Sequence, residues 1–255
     1  MKIIDTHCHI DFDEFAHDRD NVLDRARENG LCGFVIPGVK QTTWNALIAL
    51  CNQSYDLHYA LGMHPLFVQT HELQHIQSLQ DCVEKNQPVA VGEIGLDFHD
   101  RNFHTEKQVI IFEQQLKLAC NVNLPVILHV RKAHEEVLAS LKKFPVVGGI
   151  VHAFNGSMQQ AERYLSHNFK FGFGGMLTYQ RSSKLRKLAS ELPIESIVLE
   201  TDSPDMTVEQ HRGERNSPEY LPYCLKALAD IRDMTLAQLA YQTSLNACDV
   251  LRLKI

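Results

Sequence analysis

Short apolar runs alternate with longer amphipathic stretches from one end of the chain to the other. The runs at residues 2–5, 33–37, 57–61, 89–92, 126–129, 149–152, 169–174 and 196–200 are rich in Val, Ile, Leu and Phe, with Gly, Pro or polar residues at their borders. That pattern predicts short buried strands. Between them the apolar residues recur at helical spacing, which predicts helices over 18–29, 42–53, 73–86, 105–122, 133–144, 183–191 and 235–253, with further helices opening at Ser157 and Ser217. Gly30 suits the C-terminal cap of the first helix. In the helix over 105–122, Val109, Phe112, Leu116 and Ala119 form the stripe, and Thr105-Glu106-Lys107-Gln108 reads as a capping box. Ser157-Met158-Gln159-Gln160 reads the same way, and Ser217-Pro218 as an N-cap with Pro at the first helical position.

A strand followed by a helix, about eight times over 255 residues, predicts an α/β fold: a (β/α)8 TIM barrel forming a single domain over residues 1–255. A doubly wound open sheet is the competing arrangement. It calls for a Gly-rich phosphate loop after the first strand, and here that loop carries His7 and His9 instead. No repeat, low-complexity tract or linker argues for a second domain.

Composition narrows the setting. With 44% hydrophobic and 22% charged residues, the chain suits a soluble domain of barrel size. A net charge of -6 without any basic run argues against a protein that coats phosphate backbones broadly. A local positive site, bound metal included, would still grip one phosphate. Cys8, Cys32, Cys51, Cys82, Cys120, Cys224 and Cys248 are scattered without a C-x-x-C pair, which points to reduced thiols and a cytoplasmic location. Cys82 and Cys120 fall on helical apolar stripes and are expected in the core. The first strand begins at once, so a secretory leader is not expected, nor is a membrane span or an obligate protein partner.

Chemistry is sought at the C-terminal ends of barrel strands. The first strand runs into Asp5-Thr6-His7-Cys8-His9, where alternation points His7 and His9 to one side and Cys8 to the other. His64 follows the third strand, Glu93 and Asp97 the fourth, His129 and Arg131 the fifth, His152 the sixth and Asp202 the eighth. Four metal-competent imidazoles among these, His7, His9, His129 and His152, and two carboxylates, Glu93 and Asp202, at one barrel mouth predict a metal site. The ligand set suggests two divalent ions: Glu93 bridging, His7, His9 and Asp202 completing one site, His129 and His152 the other. Asp202 would accept the proton of an attacking water. Imidazoles suit Zn²⁺, while carboxylate and water positions admit Mg²⁺ or Mn²⁺.

These motifs resemble the TatD family of metal-dependent hydrolases, within the amidohydrolase superfamily. The resemblance rests on Asp5 to His9, Gly62-Met63-His64-Pro65, Gly92 to Asp97, His129-Val130-Arg131, His152-Ala153-Phe154-Asn155-Gly156, Glu200-Thr201-Asp202-Ser203-Pro204 and Arg215-Asn216-Ser217-Pro218, and extends to Ser244-Leu245-Asn246-Ala247. It implies a divalent-metal hydrolase acting on phosphodiesters, since family members are described as deoxyribonucleases, including 3′-to-5′ exonucleases. It implies DNA ends or single strands as substrate, and His7, His9, Glu93, His129, His152 and Asp202 as ligands. It also places His64 beside the substrate phosphate and Arg215 in phosphate contact. Two departures bear on substrate. Asp205 stands where many relatives carry an aromatic residue, and Phe98-His99 replaces a Tyr-containing pair.

Arg131 is open between pairing with Asp97 or Glu200 and binding phosphate, and Asp97 is expected to support or fix a loop. Phe67, Phe98, Phe154 and Tyr179 are candidate base-stacking residues for which packing is the simpler reading. His17, His58, His71, His75, His104, His134 and His167 read as surface residues, and Gly172, Gly174 and Gly175 as a close backbone approach. Two other functions compete with a nuclease. A hydrolase of a small amide, lactone or phosphate ester would suit the acidic surface, although many such barrels bridge their metals with a modified lysine and the fourth strand offers Glu93 instead. A structural metal plug is disfavoured by a mouth site with spare coordination.

Overall fold

The computed structural model describes residues 2–100 and 102–254. Eight parallel strands follow one another around a single sheet: β1 (Ile3–Asp5), β2 (Leu31–Pro37), β3 (Leu57–Leu61), β4 (Ala90–Asp97), β5 (Val126–Arg131), β6 (Gly149–Val151), β7 (Phe169–Phe173) and β8 (Ile197–Leu199). The first and last strands meet where Thr6 donates its N–H and its hydroxyl to the Leu199 carbonyl, at 3.0 and 2.9 Å. This is the nearly closed (β/α)8 barrel that the alternation predicts. Helices α1 (Arg19–Glu28), α2 (Trp44–Cys51), α3 (Gln74–Asn86), α4 (Thr105–Val122), α5 (His134–Lys143), α6 (Met158–Leu165), α7 (Ser183–Glu191) and α8 (Leu221–Arg232) surround it, and α9 (Leu236–Leu251) closes the chain.

Two apolar layers hold the barrel. The larger packs helices onto the outside of the strands around Phe34, Phe112, Phe169 and Leu199. The smaller takes Ile4, Val35, Ala60, Ala90, Ile127, Ile150 and Val198, one residue from each of seven strands, together with Ala247, Leu251 and Leu253 from the end of the chain. Contact among seven strands at once is possible only inside the barrel, so α9 plugs its floor. Above this layer, the two-residue period carries β5 from Ile127 to His129 and Arg131, β6 from Ile150 to His152, and β8 from Val198 to Glu200 and Asp202. The filled interior thus becomes the floor of the site.

Strand and helix borders follow the expected ones closely, with three differences. The fourth strand runs to Asp97 instead of ending at Gly92, with a register shift against β5 between Val91 and Ile94. That irregularity brings Glu93 to the barrel mouth although its spacing from Ala90 is odd. Thr105 does not open a capping box: His104 precedes α4 in a left-handed conformation with no side-chain cap. Gln108 instead lies buried, accepting from the Asp97 N–H at 2.9 Å and donating to the Asp97 carbonyl at 3.1 Å. Ser217-Pro218 opens a 3-10 turn that leads into α8. The capping box at Ser157 and Gln160 is formed, as is one at Thr235 and Gln238. Cys82 and Cys120 pack against the core while partly exposed.

Candidate metal centre

The chain bends at Thr6 and His7 beyond β1, and backbone bonds tie this stretch to both neighbours: Cys8 N–H to the Val35 carbonyl and His9 N–H to the Ser203 carbonyl. The bend keeps the expected alternation. Cys8 is fully buried in the outer core, while His7 and His9 turn inward with their Nε2 atoms 3.3 Å apart. Glu93 faces both with Oε2, at 3.2 Å from His7 and 3.7 Å from His9. Its other oxygen, Oε1, faces His129 Nδ1 at 3.2 Å and His64 Nε2 at 3.3 Å. Asp202 Oδ1 lies 3.8 Å from both His7 and His9, and Oδ2 lies 3.4 Å from His152 Nε2. The His152 ring stacks on that of His7 with centroids 3.6 Å apart. Residues from six strand ends, up to 195 positions apart in sequence, therefore converge on one centre.

These atoms fit a metal. A tetrahedral ion with bonds of about 2.0–2.1 Å spaces its donors roughly 3.3 Å apart, close to the separations found here. Among the described residues, three groups of donors each lie within 4.8 Å of one another: His7, His9 and Asp202; His7, Glu93 and His152; and His64, Glu93 and His129. Thus His152 shares a group with His7 and Glu93, and its ring lies against that of His7.

Ring orientation separates the imidazoles further. His129 turns Nε2 to Asp97 Oδ2 at 3.0 Å, which leaves the Nδ1 lone pair for the centre. His152 turns Nδ1 to Glu200 Oε1 at 3.1 Å, which leaves Nε2. A carboxylate behind the ring is the usual support of a metal-binding histidine. His64 is held the opposite way: its Nδ1 accepts the Leu66 N–H at 3.1 Å, so the neutral ring carries its proton on Nε2, facing Glu93. His64 thus presents a hydrogen-bond donor where the other rings present a lone pair.

Electrostatics follow from this packing. Burial alone would raise the Glu93 pKa, but the His64 and His7 imidazoles and the hydrogen bonds from His129 and His64 hold it well below the carboxylate range. Burial opposes ionisation of Asp202 too, yet His152 brings it down to about 2. Burial disfavours the His152 cation, but Glu200 and Asp202 hold its pKa well above the ordinary value; Asp97 and Glu93 raise that of His129 in the same way. His9 is pushed down to about 3, by burial first and by His7 second. Negative charge that draws protons onto two rings also draws a divalent cation into their place.

Several residues to which the sequence assigned no part in the metal centre support it. Glu200 is 1% exposed and accepts the Ala153 N–H at 2.7 Å. A Cβ on Gly172 would stand 1.9 Å from Glu200 Oε2, so this glycine makes room for the carboxylate and is more than a close backbone approach. Asp5 accepts from Thr201 N at 3.0 Å and Thr201 Oγ1 at 2.6 Å, which ties the first motif to the last. Asn216 donates to the Thr201 and Asp205 carbonyls at 2.8 and 2.6 Å, bracing the loop around Asp202. His71 and His134 are buried, not on the surface: His71 Nε2 meets the His64 carbonyl at 3.0 Å, and His134 lies between Tyr164 and Asn155.

The site opens into a cavity of about 850 Å³. His9, His64, Glu93, His129, His152 and Asp202 line it, with His7 buried beneath. Arg131 is on the wall, half exposed and 3.9 Å from Asp97. Phe67 and the fully buried Phe154 line it too, whereas Phe98 and Tyr179 are almost fully buried away from it. Arg215 is not brought to the cavity lining. Its guanidinium grips both oxygens of Asp18, at 2.9 and 2.7 Å, and lies over the Phe15 ring.

Comparison with known proteins agrees with this geometry. The family described as TatD related DNase matches residues 4–252. The chain is 38% identical over 234 residues to the uncharacterized metal-dependent hydrolase YjjV of Escherichia coli strain K12, covering 91% of this chain and 90% of that one. It is 35% identical over 243 residues to a protein of Erwinia tasmaniensis named 3′-5′ ssDNA/RNA exonuclease TatD, covering 92% and 93%. The crystal structure of the E. coli YjjV, a TatD homologue, superposes with a TM-score of 0.95 at 36% identity, covering 99% and 98%. The chain therefore belongs to the TatD family of metal-dependent hydrolases.

Proposed function

We propose that this hydrolase is a phosphodiesterase that cuts single-stranded nucleic acid, DNA before RNA, from a 3′ end. One observation carries the reading: Glu93 presents one oxygen to His7 and His9 and the other to His129, so a single carboxylate spans two sets of donors. Two divalent ions would be held by His7, His9, Glu93 and Asp202 on one side and by Glu93 and His129 on the other, with His152 joining from the first side. Such ions supply Lewis-acid polarisation of a phosphoryl oxygen and a lowered pKa for a water.

The protein's own groups do the rest. The His64 Nε2–H donates to a non-bridging phosphoryl oxygen, and its tautomer is fixed in advance by the Leu66 amide. Asp202, ionised at neutral pH, takes the proton of the water whose oxygen attacks phosphorus, while the bond from phosphorus to the leaving oxygen breaks. Asp97 and Glu200 keep the His129 and His152 rings turned toward the centre. The E. tasmaniensis relative named as an ssDNA/RNA exonuclease supports the substrate class. A small phosphate ester is the second reading, and the Asp205 carboxylate on the cavity wall favours it.

End-labelled single-stranded DNA and a panel of small phosphate, ester and amide substrates, incubated with Mg²⁺, Mn²⁺ or Zn²⁺, decide between them. The expected result is stepwise loss of 3′ nucleotides, reduced at least ~100-fold in Glu93→Ala and His64→Ala. Intact DNA with turnover of a small substrate selects the second reading, and equal cleavage by Glu93→Ala rejects both.

A further inference from the structure

Apolar side chains line the cavity after β1 and β3, at Phe12, Leu66 and Phe67, with Lys40 Nζ 4.2 Å from the Phe67 ring centroid, and also beyond β7, at Met176 and Leu185. Arg131, at the end of β5, is joined on the wall by Arg181 and Lys184, at the start of α7. Among the described residues, neither Arg181 nor Lys184 has a carboxylate within 4.0 Å, whereas Arg25, Arg27, Arg163, Arg215 and Lys143 all do. Arg181 lies over the Tyr179 ring, 5.4 Å from its centroid, and Lys184 Nζ donates to the Asn155 carbonyl at 2.8 Å. Asn155 is three residues beyond His152, so its Cα is at most about 11 Å from that of a residue in the metal centre. The acidic rim residue, Asp205, comes from the loop after β8. In a chain of net charge -6, three cations are thus gathered on the β5–β7 side of the mouth.

We infer that Arg181 and Lys184 form a second phosphate subsite, which holds the phosphate next to the scissile one and makes this enzyme prefer a strand over a single phosphodiester. The inference rests on the phosphodiesterase reading above and adds the direction of the chain: away from Asp205, across the start of α7, with the terminal base against Leu66 and Phe67. Arginine suits the task because its fork matches two phosphate oxygens, and the lysine adds a point charge. Neither residue touches Glu93 or the imidazoles, so their loss leaves the metal centre as it is.

The test compares wild type with an Arg181→Ala/Lys184→Ala variant on a labelled single-stranded pentanucleotide and on bis(p-nitrophenyl) phosphate, with Mn²⁺ in both. We expect kcat/KM on the pentanucleotide to fall ~10- to 100-fold, mostly through KM, and that on the small diester to change less than ~2-fold. The slope of log affinity against log salt, from fluorescence anisotropy of the pentanucleotide on Glu93→Ala protein, should fall by about 1–1.5. An unchanged ratio between the two substrates, with unchanged binding, overturns the subsite while leaving the phosphodiesterase intact. Loss of both activities in wild type overturns the phosphodiesterase, and absence of pentanucleotide binding then overturns the subsite with it. A Lys184→Arg variant that retains the strand preference guards against a folding defect.

Discussion

His71 shows how much a single side chain away from the centre contributes. It is 1% exposed, and its Nε2 meets the carbonyl of His64, the residue that presents a donor to the cavity. Burial, ahead of all other causes, brings its pKa down to about 4, from an unfolded value of about 6.5. The folded protein therefore holds this ring neutral while the unfolded chain takes up a proton below pH ~6.5, so stability falls as pH drops from about 6.5 toward 4. We expect the unfolding free energy from urea titration to fall between pH 7 and pH 4.5, and to fall by about 1 kcal/mol less in His71→Gln than in wild type. Parallel pH profiles for the two proteins would show that this ring is not linked to folding. The same residue illustrates where sequence reading stops. His64 was legible because it ends a strand in a recognisable motif; His71 stands in a polar loop where burial leaves no periodic mark.

At the level of elements, α4 does more than cover the barrel. Gln108 and Gln115 lie on its buried face, seven residues apart, and each clasps a backbone that leads to the site. Gln115 accepts from Met63 N–H at 2.7 Å and donates to the Met63 carbonyl at 3.2 Å, beside His64, while Gln108 holds both backbone groups of Asp97. Two buried amides thus satisfy four backbone groups that have left the sheet ladder. Replacing Gln115 by Ala leaves the Met63 groups buried and unpaired. We expect a loss of about 1–3 kcal/mol in chemical denaturation, with a higher KM because His64 shifts. A loss below ~0.5 kcal/mol would mean that water replaces the amide. In the sequence, Thr105 and Gln108 carry the spacing of a capping box. Tertiary context decided otherwise, since a strand end beneath the helix competes for the same amide.

For the molecule as a whole, the centre is a set of clustered carboxylates and imidazoles at the mouth of a barrel whose floor is sealed by α9. A cation that binds the folded chain and not the unfolded one stabilises it, by about 2.7 kcal/mol at 100-fold excess over its Kd. For a domain of this size that raises Tm by roughly 5–10 °C. We expect differential scanning fluorimetry to show this rise on adding Zn²⁺ or Mn²⁺, its reversal by a chelator, and its absence in Glu93→Ala. An equal rise in that variant would separate metal binding from this centre. The barrel, its strand borders apart from the end of the fourth, and the gathering of His7, His9, Glu93, His129, His152 and Asp202 at its mouth were legible in the sequence alone, because buried strands, helical stripes and polar strand ends leave periodic marks along the chain. Only the tertiary structure decided which imidazole faces which carboxylate, that His152 joins His7, that Arg215 is held by Asp18, and that Arg181 and Lys184 reach the same cavity. The reason is physical: local sequence sets the face on which a side chain leaves the backbone, whereas its partner across the mouth is set by strand register and the bends of distant loops.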